Sequence, residues 1–259
     1  MEFIFLIILL GLFLGSFLNV VIDRLPNNKS IVRGRSHCDY CKKTLQWYDL
    51  IPIVSFVVLK GKCRYCKKKL SAQYPIVEVS TSLLFLFMYF YTLAGFFQNA
   101  NFLYVLFLNF FLASFLIVVF VTDIKYGIIL DKILLFMVFI FGLFQLVFAR
   151  QLFIPNLLSG IGAFIFFLFL YFFTKEKGLG LGDVKFAFII GFLVGFPNVI
   201  TALYMAFLTG AFTSIILILW GKKRYSNTVP FGPFLAVSLF VAYVWGDKIT
   251  NFFFNLMGL

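Results

Sequence analysis

Eight apolar runs, each about as long as a bilayer is thick, constrain the fold of this chain more than any other feature. A membrane-spanning helix needs roughly 20 predominantly apolar residues. The runs lie at 3–22, 76–99, 102–121, 132–149, 155–173, 184–200, 201–220 and 232–254. Hydrophobic residues make up 63% of the 259 residues and charged residues only 12%, a balance that requires lipid as the solvent. We predict an all-α polytopic membrane protein with about eight transmembrane helices.

Lysine and arginine are distributed unevenly between the two sides of these helices. Four alternate loops hold 20 of the 22 basic residues, and only Arg150 and Lys248 lie on the other side. These loops are 23–75, 122–132, 174–185 and 221–226. Because basic loops face the cytoplasm, we predict that the N-terminus faces outward. The net charge of +12 lies beside the membrane, which indicates anionic headgroups rather than nucleic acid as the partner.

The loop at 23–75 is the one stretch long enough to fold outside the membrane, and it contains all four cysteines. They form two CxxC pairs separated by 21 residues: Cys38, Cys41, Cys63 and Cys66. This spacing is typical of tetrahedral zinc coordination, and a loop of about 50 residues requires such a staple. Four filled ligand positions predict a structural zinc site. Two redox or incidental cysteine pairs are the alternative. We predict no internal repeat.

Two aspartates lie where predicted helices meet the cytoplasmic surface. Asp123 lies just after the third run, and Asp183 directly precedes the sixth, after a segment that includes Gly180 and Gly182. Ionisable groups at the edge of a membrane span indicate function. Neighbouring aspartates share one proton, so one acts as a base on water while the other polarises a scissile carbonyl. The alternative is that Asp183 caps a helix and Asp123 is a solvated charge. The residues alone leave both interpretations open.

Further segments complete a pattern with these cysteines and aspartates. They are Gly15-Ser16-Phe17-Leu18-Asn19-Val20-Val21-Ile22 with Arg24-Leu25-Pro26, Asp49-Leu50-Ile51-Pro52, Gly61-Lys62-Cys63-Arg64, Tyr74-Pro75 with Glu78, and Pro230-Phe231-Gly232-Pro233. Together and in this order, the segments resemble the bacterial prepilin peptidases, the type IV prepilin leader peptidases of pilus and type II secretion systems. The cysteine pairs resemble the zinc-binding insert of that family.

The resemblance implies a GxGD-type aspartic endopeptidase in which Asp123 and Asp183 form the catalytic pair. Gly180, Gly182 and Lys185 would then support the catalytic loop. By the same resemblance, the enzyme cuts basic leaders from prepilin and pseudopilin precursors at the cytoplasmic face of the inner membrane. Many members also N-methylate the new N-terminus with S-adenosylmethionine, and this cofactor rests on the resemblance alone. The complete cysteine insert resembles that of the bifunctional members.

Three acidic residues are candidates for contacting the basic residues of a leader: Asp49, Glu78 and Glu176. Solvated surface charge is the alternative for each of them. The family usually has proline where this chain has Leu130, which is expected to loosen that loop and leave Asp123 intact.

The expected domains are a first transmembrane helix at 1–22, a cytoplasmic zinc-binding insert at 23–75 and a transmembrane peptidase core at 76–259. Two other functions stay open. One is a GxGD intramembrane protease with another substrate, and the other is a non-enzymatic transporter or scaffold. A transporter would more often show polar or broken helices at mid-membrane, whereas these apolar runs are nearly uncharged.

Overall fold

The structure, a computed structural model, describes residues 2–95, 102–175, 178–220 and 230–257. Every regular element within those ranges is helical, which confirms the predicted all-α class. The helices are α1 (Glu2–Arg24), α2 (Val54–Val58), α3 (Gln73–Leu93), α4 (Phe102–Tyr126), α5 (Asp131–Phe148), α6 (Arg150–Phe173), α7 (Leu181–Val194), α8 (Asn198–Leu219) and α9 (Gly232–Met257), with a 3-10 turn at Trp47–Asp49. Two sequence predictions, the basic loop at 221–226 and the candidate Glu176, lie outside the described residues.

Six of the described helices are long and apolar enough to cross a membrane, namely α1, α3, α4, α5, α6 and α8. The multi-pass membrane architecture expected from the apolar runs is therefore confirmed. Helix α7 has only 14 residues. At 1.5 Å per residue it is about 21 Å long, shorter than the roughly 30 Å of a hydrocarbon core. It ends before the predicted run at 184–200 does, because Gly195 has a φ of 68° and Pro197 follows.

The chain divides into two compact units, Met1–Val118 and Val119–Leu259, and the boundary falls within α4. In the first unit, α1 and α3 approach closely through glycine. A Cβ built on Gly11 would lie 2.5 Å from Cα of Ser82, and one on Gly15 would lie 2.7 Å from Cα of Glu78. Small residues four positions apart allow such crossings in membranes. The three domains predicted from sequence follow different boundaries and stay a prediction.

Polar side chains join the end of α1 to the start of α3, where the insert leaves and rejoins the helices. Asn19 Nδ2 donates to the carbonyl oxygen of Tyr74 at 3.1 Å, and Gln73 Nε2 donates to Asn19 Oδ1 at 3.2 Å. The Tyr74 hydroxyl donates to Asp23 Oδ2 at 3.3 Å. These bonds satisfy polar groups at the base of the insert and fix its two attachment points side by side.

In the second unit, α6 and α7 also meet through glycine. A Cβ built on Gly191 would lie 2.8 Å from Cα of Gly160. On the same helix pair, a Cβ on Gly160 would lie 2.8 Å from the carbonyl oxygen of Phe188. Backbones this close leave α7 little freedom to shift against α6. The packing therefore fixes the helix whose first turn contains Asp183.

Candidate active site and metal centre

Asp123 lies in the last turn of α4 and is only 5% exposed. Its Oδ2 accepts a 2.8 Å hydrogen bond from the backbone N–H of Gly232, the first residue of α9. The first N–H groups of a helix have no partner within the helix and favour a negative charge. The contact is tight, since a Cβ on Gly232 would lie 2.6 Å from the same oxygen. Gly232 belongs to a motif visible in the sequence, but its contact with Asp123 was not predicted from that motif.

Three phenylalanine rings fix the start of α9. The ring of Phe231 lies 5.3 Å from that of Phe207 on α8 and 6.5 Å from that of Phe167 on α6. The rings of Phe167 and Phe207 are 5.5 Å apart. Aromatic rings pack favourably at these separations. The cluster therefore holds the residue before Gly232 and, with it, the N–H group that binds Asp123.

Asp183 lies in the first turn of α7, and it is 9% exposed. Its Oδ2 accepts a 3.0 Å hydrogen bond from the N–H of Gly180, which precedes the helix. Gly182 packs against Ile129, so that a Cβ there would lie 3.0 Å from Ile129 Cβ. The carboxylate thus accepts a hydrogen bond at the start of its own helix, as expected if Asp183 caps that helix. Its burial nevertheless distinguishes it from a solvated cap.

The structure brings Asp123 and Asp183 together, although α5 and α6 separate them along the chain. Asp123 is an electrostatic neighbour of Asp183. One oxygen of each carboxylate is held by a backbone N–H group, whereas Oδ1 of each accepts no hydrogen bond from the described residues. Each aspartate therefore has one fixed and one unengaged oxygen. Two such carboxyl groups can share a proton and act on a water molecule.

Lys185 lies two residues after Asp183 on α7 and is exposed to solvent. Its Nζ contacts both carboxylate oxygens of Asp131 at 2.8 Å. The two side chains are 47% and 60% exposed. The pair joins the first turn of α5 to the second turn of α7. Support of the catalytic loop by Lys185, as expected from the resemblance, would therefore act through the placement of α7.

The four cysteines converge in the first unit. Sγ atoms of Cys38, Cys41, Cys63 and Cys66 all lie within 4.8 Å of one another, and those of Cys38 and Cys66 are 3.8 Å apart. Zinc–sulfur bonds of about 2.3 Å in a tetrahedron place sulfur atoms about 3.8 Å apart. Although burial alone would raise the pKa of Cys63, N–H groups of Cys66 and Tyr65 lower it to about 7. The residues fit zinc.

Each CxxC pair lies in a short turn segment, which we call a knuckle. The two knuckles are copies of one motif, so the expectation of no internal repeat was wrong. Residues 36–45 (SHCDYCKKTL) and 61–70 (GKCRYCKKKL) align without gaps. Each copy has a positive φ at the first lysine after its second cysteine, 56° at Lys42 and 60° at Lys67. The lysine that follows stacks on the tyrosine of the opposite copy. Lys43 Nζ lies 4.3 Å from the Tyr65 ring, and Lys68 Nζ lies 4.8 Å from the Tyr40 ring.

Asp49 is bonded inside the insert. Its Oδ1 is 2.6 Å from Arg64 Nε, and its Oδ2 accepts bonds from the Tyr65 hydroxyl and the Gln46 N–H, both at 3.2 Å. Burial works against the charged form. The bonds from Arg64, Gln46 and Tyr65 outweigh it and hold the pKa of Asp49 below its usual value. Asp49 therefore clamps the second knuckle to the 3-10 turn.

Glu78 lies in the second turn of α3 and is buried. Its Oε2 accepts a 2.8 Å hydrogen bond from the N–H of Ile53, and the Ser16 side chain also bonds it. Glu78 therefore ties the start of α2 to the helices that flank the insert. The contact of Glu78 or Asp49 with a leader stays a prediction, and in this structure both carboxylates already have partners.

A cavity of about 260 Å³ opens between α5, α6 and α7 in the second unit. Its lining is entirely apolar: Val138, Phe139, Gly142, Leu143, Leu146, Phe153, Leu157 and Phe192. S-adenosylmethionine carries an ammonium, a carboxylate and a sulfonium, which need polar partners. The residues of this cavity do not fit that cofactor.

Two family profiles match the chain. The profile described as Bacterial Peptidase A24 N-terminal domain matches residues 9–92, which include all four cysteines. The profile described as Type IV leader peptidase family matches residues 110–215, which include Asp123 and Asp183. No solved structure matches the chain.

Several proteins are similar to this chain over nearly its whole length. A protein of Bacillus subtilis (strain 168) is 32% identical over 97% of this chain and 98% of its own. One of Aeromonas hydrophila is 30% identical over 96% of this chain and 92% of its own. One of Pseudomonas aeruginosa is 28% identical over 100% of this chain and 96% of its own. All three are named prepilin leader peptidase/N-methyltransferase. On these matches, the chain belongs to the type IV leader peptidase family.

Proposed function

We propose that this protein is an aspartic endopeptidase that removes the leader peptide from prepilin-like precursors. The observation that carries the proposal is the buried pair Asp123 and Asp183, in which each carboxylate is held by a backbone N–H group beside a helix start. The names of the similar proteins support prepilin precursors as the substrate class. The match to the type IV leader peptidase profile over the aspartate region supports the same assignment.

In the proposed mechanism the two carboxyl groups share one proton across their unengaged oxygens. The ionised aspartate takes a proton from water, and the oxygen of that water attacks the scissile carbonyl carbon. The protonated aspartate donates to the carbonyl oxygen, which gives a neutral tetrahedral diol. The diol then collapses, and the C–N bond breaks as the leaving nitrogen receives a proton from the pair. The bonds from Gly232 and Gly180 keep both acids in place throughout.

We place the reaction at the cytoplasmic face of the inner membrane. The uneven distribution of basic residues supports an outward N-terminus and a cytoplasmic insert. Asp123 then lies at the cytoplasmic end of α4 and Asp183 at that of α7. A precursor with a short basic leader before an apolar helix would present its scissile bond at this depth, where water is available for hydrolysis. Glu176, Asp49 and Glu78 remain our candidates for contacting the leader, and Asp49 and Glu78 also hold the insert.

We also propose that the four cysteines hold one structural zinc ion, because four thiolate ligands leave no open position for a substrate. N-methylation of the new N-terminus is proposed on the names of the similar proteins alone. S-adenosylmethionine would supply the methyl group for that reaction. The apolar cavity between α5, α6 and α7 does not fit it, so we derive no step through this cofactor.

The test is cleavage of a co-expressed prepilin by Asp123→Asn and Asp183→Asn variants. Each amide removes a titratable carboxyl and keeps the side-chain shape, so we expect no detectable processing by either variant. Asp247→Asn, on α9 but about 22 Å along the helix from Gly232, where Asp247 accepts a bond from Asn198, is the matched control and should process normally. Normal processing by both site variants would exclude the pair. Mass spectrometry of the product N-terminus identifies the cleaved bond and any added methyl group.

A further inference from the structure

A short helix in the insert presents an apolar face to its surroundings. Val54, Val57 and Val58 of α2 lie on one side at i, i+3 and i+4 and are 55%, 65% and 69% exposed. The opposite side packs inward, where Phe56 contacts Gly61 of the second knuckle. Trp47, in the preceding 3-10 turn, is 75% exposed. Adjacent exposed apolar side chains of this kind are typical of a surface that contacts a membrane, another protein or a ligand.

The position of α2 identifies what surrounds it. The N–H of Ile53, directly before α2, donates to Glu78 Oε2 at 2.8 Å. Glu78 is the sixth residue of α3, a helix long and apolar enough to span the membrane. It therefore lies about 8 Å along the axis from the first residue of that helix. Helix α2 therefore starts beside the second turn of α3, near the start of the apolar run predicted at 76–99.

The charge of the insert indicates which kind of partner its apolar face contacts. Residues 23–75 carry 12 Lys/Arg and three Asp/Glu. Lys60 and Lys62, directly after α2, are exposed. Lysines beside an exposed apolar face suit a surface of anionic lipid, as they do in longer interfacial helices. The substrate proposed above has a basic leader, which this insert would repel, so lipid is favoured over the substrate as the occupant.

We propose that residues 47–58 lie in the headgroup region of the adjacent leaflet and bind anionic phospholipid. The three valines enter the boundary between headgroups and acyl chains, and the lysines contact phosphate. The insert is then held to the membrane at a third point, besides its attachments to α1 and α3. This role is independent of peptide cleavage.

The test uses the full-length, zinc-loaded protein in nanodiscs whose lipids carry bromine near the headgroup end of the acyl chains. A single-tryptophan reporter is made by adding Val57→Trp to Trp47→Phe, Trp220→Phe and Trp245→Phe. In discs with phosphatidylglycerol we expect the brominated lipid to quench its emission by about twofold or more, and aqueous iodide to quench little. In discs of phosphatidylcholine alone, lipid quenching should fall.

The matched control places the reporter at Tyr40→Trp in the same background, on the first knuckle at a residue that is 58% exposed. Iodide should quench this control, and brominated lipid should not. The proposal fails if the Val57→Trp reporter behaves like the control. Equal lipid quenching in both kinds of disc would overturn the anionic preference. Shielding from iodide only on addition of a prepilin peptide would assign the valine face to the substrate and overturn lipid binding.

Discussion

The backbone N–H of Gly232 donates to Oδ2 of Asp123 at 2.8 Å, and the contact leaves no space for a side chain between α9 and that carboxylate. A Cβ at position 232 would lie 2.6 Å from the oxygen, so Gly232→Ala must displace either Asp123 or the start of α9. We expect the rate of prepilin cleavage to fall about tenfold or more, since the loss of about 1.4 kcal/mol of transition-state stabilisation has that effect. Single-turnover cleavage by purified enzyme measures it.

Gly162→Ala is the control for this substitution. Gly162 also lies in a membrane helix, α6, but an added Cβ meets no atom within 4 Å. Its activity should stay within about twofold of the wild type, because an exposed glycine-to-alanine change in a helix is at most mildly stabilising. Wild-type activity in Gly232→Ala would show that the hydrogen bond does not position Asp123.

Asp123 and the segment around Gly232 were each recognisable in the sequence, but the contact between them was not predictable from it. The two residues are 109 positions apart, and their contact depends on how Phe231 packs against two other helices. Apolar periodicity predicts that a segment spans the membrane and does not predict its neighbours. The aspartates were identifiable because charged residues at the ends of apolar runs are few.

In the insert, the cysteine cluster was predictable from the sequence, whereas the side-chain bonds around it were not. The CxxC spacing specifies local turns that aim two sulfur atoms at one point, so the cysteine cluster followed from the sequence. The repeat at 36–45 and 61–70 was visible as identical CxxCKK spacing and was missed. The bonds of Asp49 and Glu78 were not predictable, because they join residues from separate turns. From their charge, both were candidates for contacting a leader, with solvated surface charge as the alternative.

Purified, reduced protein should contain about one zinc ion per chain, since the cluster has four thiol ligands within 4.8 Å of one another. Cys63→Ser should lower the zinc content several-fold, because the Cys63 side chain lies inside the cluster, where the residue is 2% exposed. The insert should then become sensitive to limited proteolysis, as small metal-stapled domains depend on their metal. Metal analysis by mass spectrometry and a protease time course provide the two readouts.

His37→Ala is the control for zinc content. His37 adjoins Cys38, and its ring bonds the carbonyl oxygen of Arg35 at 3.4 Å. Zinc content should not change in this variant. Absence of zinc from wild-type protein purified under reducing conditions would refute the metal centre, while loss in His37→Ala would make the histidine a ligand.

Asp49→Asn should accelerate the release of zinc to a chelator by about tenfold, because groups that hold metal ligands in place commonly contribute that much to affinity. Asp49 fixes Arg64 and Tyr65, the two residues between Cys63 and Cys66. Since the pKa of Asp49 lies below its usual value, its contribution is complete at neutral pH and is lost as the pH falls through that lowered pKa. Asp39→Asn, exposed in the other knuckle, should release zinc at the wild-type rate. Equal rates in all three proteins would contradict the clamp.

Substitutions in the ion pair between Lys185 and Asp131 test how Lys185 supports catalysis. Lys185 either acts indirectly, by placing α7, or directly, by contacting the substrate. Both side chains are about half exposed, and pairs of this kind contribute roughly 0–1 kcal/mol. Lys185→Met should therefore lower cleavage by no more than about fivefold and remove part of its salt dependence. The exchange of both charges, Asp131→Lys with Lys185→Asp, should restore activity, because the two helix starts are again joined. A loss as complete as that expected for Asp183→Asn, without rescue by the exchange, would instead place the Lys185 ammonium in contact with the substrate.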